Sequence, residues 1–263
     1  FNPVYGQRLG QFISRTNQVV TLDILGIYLQ DQITLADNLK LLLGGRFDIA
    51  NRQVEDYLNR ANTGNQQNEA FSPRVGIVYQ PIPPLSLYAS YSRSFSQIIG
   101  TGFDTEPFQP ERGTQYEVGI KADLSSTVSA TLAFYDLTRS NVLTPDPRNT
   151  LFSVQTGKQR SRGIEFDISG EILPGWNIIA GYAYTDAEVI EDNRFAGNQL
   201  NSVPKHDFNV WTTYEIQSGS LQGLGFGVGF FYVGERLGDL VNTFDLPSYL
   251  RTDAAIFYKK DRL

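Results

Sequence analysis

The segment Leu39-Lys40-Leu41-Leu42-Leu43-Gly44-Gly45-Arg46-Phe47-Asp48-Ile49 is apolar at almost every other position, and the positions between include Lys40, Arg46 and Asp48. Successive side chains of a β-strand point to opposite faces, so a strand here has one apolar face and one small or charged face. The alternation recurs along the chain in segments of about ten residues, the length of a tilted membrane-crossing strand. The pattern predicts an all-β fold, an antiparallel transmembrane β-barrel with lipid outside and a polar lumen.

Composition narrows the possible classes of protein. The 263 residues contain 17 Phe and 14 Tyr but no Cys and no Met, which excludes disulfides, thiolate metal sites and cysteine nucleophiles. The net charge of -6 gives no indication of a nucleic-acid partner. No apolar run approaches the ~20 residues of a membrane helix, so a membrane crossing requires strands. The absence of an initiator Met and of a signal peptide predicts a piece of a processed or truncated precursor.

Eleven segments carry the alternation. They are, approximately, residues 19–35, 39–49, 71–80, 85–92, 116–123, 128–134, 164–169, 176–184, 208–214, 226–232 and 253–259. Short turns alternate with five long connections that are polar and rich in Asn, Gly and Pro. These long connections are Asn59 to Ala70, Gln97 to Arg112, Asn141 to Thr150, Ala187 to Pro204 and Leu237 to Pro247. Outer-membrane barrels combine short periplasmic turns with long extracellular loops, and this arrangement matches.

A soluble β-sandwich or lectin-like array is the main alternative, because it also has many short alternating strands. A sandwich does not need charges along one face of nearly every strand. Nor does it need aromatic side chains at strand ends, where Tyr79, Trp176 and Tyr182 match the aromatic girdles of a membrane barrel. The barrel is therefore favoured.

Several motifs, in order along the chain, resemble those of TonB-dependent siderophore receptors, particularly the ferrichrome (ferric hydroxamate) branch. They include Tyr28-Leu29-Gln30-Asp31-Gln32, Leu43-Gly44-Gly45-Arg46-Phe47-Asp48, Tyr91-Ser92-Arg93-Ser94-Phe95, Tyr116-Glu117-Val118-Gly119-Ile120-Lys121, Arg162-Gly163-Ile164-Glu165, Tyr182-Ala183-Tyr184-Thr185-Asp186-Ala187-Glu188 and Val203-Pro204-Lys205-His206. The opening Phe1-Asn2-Pro3-Val4 is similar to a loop segment of that branch. Each motif alone is weak, and their order and spacing carry the resemblance.

The resemblance implies a 22-stranded outer-membrane barrel whose lumen is filled by an N-terminal plug domain. The match begins midway through the barrel and ends before the last strands. We therefore expect residues 1–263 to be a partial barrel domain of about eleven strands, without the plug, the last strands or the segment that binds TonB. Such a fragment has two unpaired sheet edges, which hydrocarbon cannot satisfy.

Seven charged residues point to the polar face by parity: Lys40, Arg46, Arg74, Glu117, Lys121, Glu165 and Asp167. In a plugged barrel they would pair with one another or with the plug, since ionisable groups at membrane depth are costly unless partnered. In a water-filled porin the same charges would set selectivity. Glycines on this face (Gly44, Gly76, Gly119 and Gly181) are expected to allow close approach of the plug backbone, although strand glycine also marks simple bends.

The expected ligand is a ferric siderophore, carried as cargo, with no cofactor. A ferric hydroxamate chelate is nearly neutral and partly apolar, so its pocket is expected to be aromatic with a few hydrogen-bond donors. Aromatic residues near the loops are the candidates: Tyr5, Phe12, Tyr57, Phe95, Phe103 and Phe108. The alternative is that these rings pack loops against one another. In the receptors that the chain resembles, much of the site lies on the plug and on other strands.

Catalytic and metal sites find no support in the sequence. His206 is the only histidine and no Ser-His arrangement accompanies it, so a structural role is favoured. The glycine-rich segment Gly223 to Gly229 lacks the GxGxxG spacing and a following helix of a dinucleotide loop. Glu188, Glu191 and Asp192 have no cation-binding spacing and are expected to be solvated.

These features predict a segment of a non-enzymatic receptor in the outer membrane of a Gram-negative bacterium, which imports a ferric siderophore. The expected partners are the chelate, TonB through the N-terminal region, and outer-membrane lipid and lipopolysaccharide, with no nucleic acid. A passive porin-like diffusion channel and a structural or adhesin-like surface barrel remain the alternatives. An upstream plug and TonB box favour the importer, and their absence favours the porin.

Overall fold

The computed structural model describes residues 17–58, 60, 63–98, 100–104 and 106–259. Thirteen strands are formed by these residues. They are β1 Gln18–Ala36, β2 Leu39–Asp56, β3 Gly64–Ile82, β4 Leu85–Ser96, β5 Glu111–Asp123, β6 Val128–Asp146, β7 Asn149–Leu173, β8 Trp176–Glu191, β9 His206–Glu215, β10 Leu224–Val233, β11 Arg236–Leu237, β12 Asp245–Leu246 and β13 Tyr249–Tyr258. No helix in the described ranges is long and apolar enough to cross a membrane.

Eleven strands form one sheet in the order β1-β2-β3-β4-β5-β6-β7-β8-β9-β10-β13, and β11 and β12 form a separate two-stranded hairpin. All eleven segments predicted from alternation lie on these eleven strands, to within one residue. A soluble sandwich requires a second large sheet packed on the first. The described chain has only the two-residue strands outside the main sheet, so the sandwich alternative fails.

The predicted long connection from Asn141 to Thr150 is wrong. Strands β6 and β7 continue to Asp146 and from Asn149, so only Pro147 and Arg148 join them. The β6–β7 register shifts three times between Ser140 and Asp146, and Asn141 has a φ of 60°. Each bulge shifts the period-two pattern by one residue, so the sequence no longer shows the regular alternation that indicates a strand. The other long connections are residues 57–63, 97–110, 192–205 and 234–248. The first three are shorter than the predicted ones, and the last is longer and includes β11 and β12.

The chain divides into two compact units. The described part of the first comprises residues 17–27 and 47–71, and the second comprises residues 28–46 and 72–259. Within the first unit, alternate residues of β2 (Asp48, Ala50, Arg52 and Val54) are buried. Arg52 donates from Nη1 to Oε1 of Gln66 at 3.1 Å, and Nε2 of Gln66 is 3.3 Å from Oδ1 of Asn68. Amide and guanidinium hydrogen bonds therefore join the buried polar side chains of this unit.

In the second unit the sheet has one apolar and one polar face, and these two names are used below. One row across β3 to β7 aligns Ile77, Ala89, Val118, Phe134 and Ile164. The adjacent row aligns Gly76, Ser90, Glu117, Tyr135 and Gly163. The side chains of the first row stay accessible, with Val118 52% and Phe134 43% exposed. A broad exposed apolar face indicates contact with lipid or another apolar surface.

Candidate functional site

On the polar face, two of the predicted charges, Glu117 and Lys121 of β5, share a cluster with Tyr88 and Gln115. The Tyr88 hydroxyl donates to Oε1 of Glu117 at 2.7 Å, and Nε2 of Gln115 donates to Oε2 at 2.9 Å. Lys121 Nζ lies 5.5 Å from the centroid of the Tyr88 ring. The cleft beside them has a volume of about 410 Å³ and includes Arg74. This part of the polar face therefore presents both positive and negative side chains to the space in front of it.

The glycines on the polar face leave space for side chains of the neighbouring strands. A Cβ placed on Gly119 would lie 2.6 Å from the Tyr88 ring, and one on Gly181 would lie 3.0 Å from Oδ1 of Asp167. Side chains of the adjacent strands already occupy the space that we expected to admit a plug backbone. That expectation is wrong for these two glycines, because the sequence does not show which side chain lies across from them.

The same arrangement recurs on β9, β10 and β13. The Trp211 ring would lie 2.8 Å from a Cβ on Gly227 and 2.5 Å from one on Gly229, and the Phe257 ring 2.3 Å from one on Gly225. The glycine-rich segment is thus a strand whose polar face is covered by flat rings. The signal was present in the sequence as three glycines at alternate positions, but their aromatic partners lie on other strands.

Amide side chains join the loops above the sheet. Gln155 of β7 pairs with both backbone polar groups of Gln109: its Oε1 accepts from the amide and its Nε2 donates to the carbonyl, both at 2.6 Å. The same Nε2 is 3.0 Å from the carbonyl of Asn141. This Gln155 clasp fixes the 97–110 loop to the extended β6–β7 hairpin.

Arg148, at the tip of that hairpin, bridges two carboxylates. Its Nη2 lies 2.8 Å from Oδ2 of Asp146 and 2.8 Å from Oδ2 of Asp104. Side-chain and backbone hydrogen bonds from Arg148 hold the pKa of Asp146 below its usual value. Asp146 belongs to the hairpin and Asp104 to the 97–110 loop, so this Arg148 bridge is a second tie between the two.

The 192–205 and 234–248 loops are joined by similar contacts, to the β6–β7 hairpin and to each other. Asn193 donates from Nδ2 to Oγ1 of the buried Thr144 at 3.0 Å. Oδ1 of Asn242 accepts from the amide of Gln199 at 2.9 Å, and Nδ2 of Asn242 donates to the Gln199 carbonyl at 3.0 Å. This Asn242 clasp links the 192–205 loop to the 234–248 loop, as the Gln155 clasp links the 97–110 loop to the β6–β7 hairpin. Sequence reasoning missed these polar residues, because the contacts join side chains to backbone far along the chain.

The structure separates the predicted ligand aromatics. Tyr5 and Phe12 lie outside the described residues. Tyr57 is 60% exposed and donates its hydroxyl to Oε2 of Glu55 at 3.0 Å. Phe95 shares the apolar face with Tyr91, four residues away on β4.

Phe103 and Phe108 are the two candidates that come together. The Phe103 ring packs edge-on against Phe152 at 5.2 Å and carries the Arg148 guanidinium over its face at 5.2 Å. Phe108 is 8% exposed and packs over Gly100. A cleft of about 240 Å³ lies between them and the β6–β7 hairpin.

Two other predictions concern polar residues near the ends of strands. His206 Nδ1 lies 2.9 Å from the Tyr182 hydroxyl, and its ring lies 5.3 Å from that of Tyr184, an arrangement typical of a structural histidine. Glu188 and Glu191 pair across strands with Arg160 and Lys158, and the Glu191 side chain stays 53% exposed in its pair. Asp192 accepts hydrogen bonds from the amides of the turn that follows it.

The family described as TonB dependent receptor-like, beta-barrel matches residues 1–263. The metal-pseudopaline receptor CntO of Pseudomonas aeruginosa is 37% identical over 97% of this chain and 37% of its own length. The ferrichrome outer membrane transporter/phage receptor of Escherichia coli is 36% identical over 90% of this chain and 32% of its own length. The chain thus spans about a third of the length of these relatives.

Solved structures agree with the sequence comparisons. The siderophore receptor PiuA from Acinetobacter baumannii superimposes with a TM-score of 0.81 at 26% identity, covering 92% of this chain and 38% of that one. The ferric preacinetobactin receptor BauA from the same species gives 0.77 at 25% identity, covering 98% and 39%. The predicted fold class and the predicted location in the Gram-negative outer membrane are both confirmed. The chain belongs to the TonB-dependent receptor β-barrel family.

Proposed function

We propose that the protein to which this chain belongs imports a ferric siderophore across the outer membrane, with energy supplied through TonB. The observation that carries the proposal is the family match over all 263 residues, together with siderophore-receptor relatives on sequence and on structure. The chain contributes barrel wall and loops, and the cargo passes without covalent chemistry. Membership of a receptor family argues against a passive porin.

Ferric hydroxamates are the proposed class of cargo. The ferrichrome transporter is 36% identical, and the ferrioxamine B receptor of Salmonella typhimurium is 29% identical over 98% of this chain. A metal–pseudopaline complex is the second candidate, because its receptor is 37% identical. In either case Tyr57, Phe103 and Phe108 are proposed loop contacts for the chelate, and Tyr5, Phe12 and Phe95 remain candidates from the sequence.

The plug domain is the proposed partner of the polar face. Glu117 of β5 and Glu165 and Asp167 of β7 lie on either side of β6, where Glu117 is opposite Tyr135 and Glu165 is opposite Ala133. Three acids facing one space are costly at membrane depth unless cations meet them. Lys121 supplies one cation, and basic side chains of a plug are proposed to supply the rest. TonB would then act on this plug from the periplasm, and lipid and lipopolysaccharide would surround the apolar face.

Titration of the purified full-length receptor tests the class of cargo. Ferrichrome, ferrioxamine B, metal–pseudopaline and a ferric catecholate are compared by tryptophan fluorescence. We expect the hydroxamates to bind with at least micromolar affinity. Tight binding of the catecholate alone would overturn the hydroxamate class, and tight binding of metal–pseudopaline alone would select the second candidate. Uptake of the bound chelate that continues without TonB would overturn energised import.

A further inference from the structure

Two arginines on the apolar side of β4 and β5 have no acidic partner among the residues that the structure describes. Arg93 and Arg112 follow the same face as Tyr91 and Tyr116, toward the 97–110 loop. They are diagonal neighbours, since Arg93 is opposite Thr114 and Arg112 is opposite Phe95. Diagonal positions on one face are about 7–8 Å apart, within reach of one another's long side chains. Neither forms an ion pair within the described chain.

An apolar groove lies directly below them. It has a volume of about 320 Å³, and its lining includes Val75, Ile77, Ala89 and Val118. Ala89 sits between Ile77 and Val118 in one row of the sheet, so its small side chain forms the floor. The rings of Tyr91 and Tyr116, 5.2 Å apart, close the upper end of the groove. The groove is therefore shaped for a hydrocarbon chain that ends at the two arginines.

A second set of cations on the same face is arranged differently. Lys158, Arg160 and Arg162 of β7 each pair with an acid of β8: Glu191, Glu188 and Asp186. This β7–β8 ladder stands directly above Ile164 and Tyr184, as Arg93 stands above Tyr91. Its cations are already neutralised, whereas those of β4–β5 are not. The nearest acid on the face of β6, Asp136, lies opposite Tyr116 and Arg162.

We propose that β4 and β5 bind one phosphorylated glycolipid of the outer leaflet, with a phosphate on Arg93 and Arg112 and an acyl chain in the groove over Ala89. Guanidinium groups bind phosphate through paired, charge-assisted hydrogen bonds. The site lies at the end of β4 that enters a long loop, which is the extracellular end of such barrels. The outer leaflet there consists of lipopolysaccharide. The proposal deepens the lipopolysaccharide contact proposed above and does not depend on which chelate is imported.

Binding of purified lipid A to the full-length receptor in detergent tests the phosphate contact. The double variant Arg93→Gln/Arg112→Gln is compared with Arg160→Gln/Lys158→Gln, whose residues lie in the same two rows of the sheet. Both double variants remove two positive charges from the same face, so bulk attraction changes equally. We expect the first pair to weaken lipid A binding by about tenfold or more, since a loss of ~1.4 kcal/mol is a factor of 10. The second pair should leave the affinity within about twofold.

The outcomes separate the sources of the ligand. An equal loss in the two double variants would overturn the site in favour of general electrostatics. Equal binding of dephosphorylated lipid A would overturn the phosphate contact, and equal binding of phosphatidylglycerol vesicles would overturn the choice of glycolipid. Arg93→Lys/Arg112→Lys keeps the charge without the paired donors, and we expect intermediate affinity. Binding of the chelate by each variant shows that the variant is folded. If the wild-type receptor binds no chelate, that result contradicts the proposed import and not the lipid site.

Filling the groove tests the acyl-chain contact independently. Ala89→Leu places a larger side chain on the floor of the groove, and Ala180→Leu adds the same side chain to the apolar face of β8. We expect Ala89→Leu to weaken lipid A binding several-fold and Ala180→Leu to leave it unchanged. Equal affinities in the two variants would overturn the groove as the seat of the chain.

Discussion

The sheet and the loop assembly above it are ordered in different ways. In the sheet, backbone ladders join every strand to its neighbours, and the side chains decide which face is apolar and which is polar. In the loops, order depends on a few side chains that reach backbone or charge far along the chain: Gln155, Asn242, Arg148 and Asn193. The difference predicts that substitutions in the sheet change global stability, whereas substitutions in the loops change local order.

The largest effect is expected from a charge on the apolar face. Val118→Arg on β5 and Val228→Arg on β10 each place a guanidinium where hydrocarbon is expected. Each should lower the free energy of unfolding of the full-length receptor by roughly 2–4 kcal/mol, the range for arginine near the bilayer midplane. Urea unfolding in lipid vesicles measures this. Lys121→Gln on the polar face of β5 is the control, and a cost as large as that of Val118→Arg would contradict the assignment of faces.

A smaller effect is expected where rings cover glycines. A Cβ on Gly119 or Gly229 would lie 2.6 Å or 2.5 Å from the ring above it, and overpacking of this kind costs about 1–3 kcal/mol. The two sites differ, since the Tyr88 hydroxyl is bonded to Glu117 at 2.7 Å. Displacing the Tyr88 ring also breaks that bond, so Gly119→Ala should cost more than Gly229→Ala.

A change of background isolates the contribution of the hydroxyl. In a Tyr88→Phe receptor the ring is no longer tied to Glu117, and the cost of Gly119→Ala should fall to that of Gly229→Ala. The four free energies of unfolding form a double-mutant cycle. Additive costs of Tyr88→Phe and Gly119→Ala would show that the ring moves without losing its hydrogen bond.

The strands and their faces were predictable because lipid demands one kind of side chain on one face over the whole crossing. Leu39 to Ile49 shows this alternation, and so do ten further segments. The end of the β6–β7 hairpin was not predictable, since bulges around Asn141 interrupt the period there. Phe103 and Phe108 could be identified as loop aromatics, but not Gln155 or Asn242. Amides are common in any polar loop, and only the fold shows which of them face a backbone.

Local effects are expected from the two clasps. Gln155→Glu keeps an acceptor for the Gln109 amide but removes the donor to two carbonyls, and Asn242→Asp makes the same change toward Gln199. Each lost hydrogen bond is worth about 0.5–1.5 kcal/mol.

Hydrogen exchange should increase in residues 97–110 for the Gln155→Glu variant and in residues 192–205 for the Asn242→Asp variant, with unchanged exchange in β4 and β5. Faster exchange throughout the sheet would show that loops and sheet unfold together. Asn242→Gly is the control for backbone strain, because Asn242 has a φ of 63°.

The smallest effect is the pH dependence of the Arg148 bridge. Arg148 lowers the pKa of Asp146, chiefly through its side-chain hydrogen bonds. A carboxyl whose pKa is lower in the folded state contributes stability above its ordinary value of 3.8, and loses it as the pH falls through the lowered value. Because Asp146 holds in place the Arg148 guanidinium that also binds Asp104, its contribution to the order of the 97–110 loop should be kept from pH 7 to pH 4 and lost only in stronger acid. A nitroxide on Glu106→Cys reports this by electron paramagnetic resonance, since residues 1–263 contain no other cysteine to label. In an Arg148→Gln background the label should be mobile at every pH. If the label stays equally immobile there, the Gln155 clasp alone holds the loop, and the bridge contributes nothing to its order.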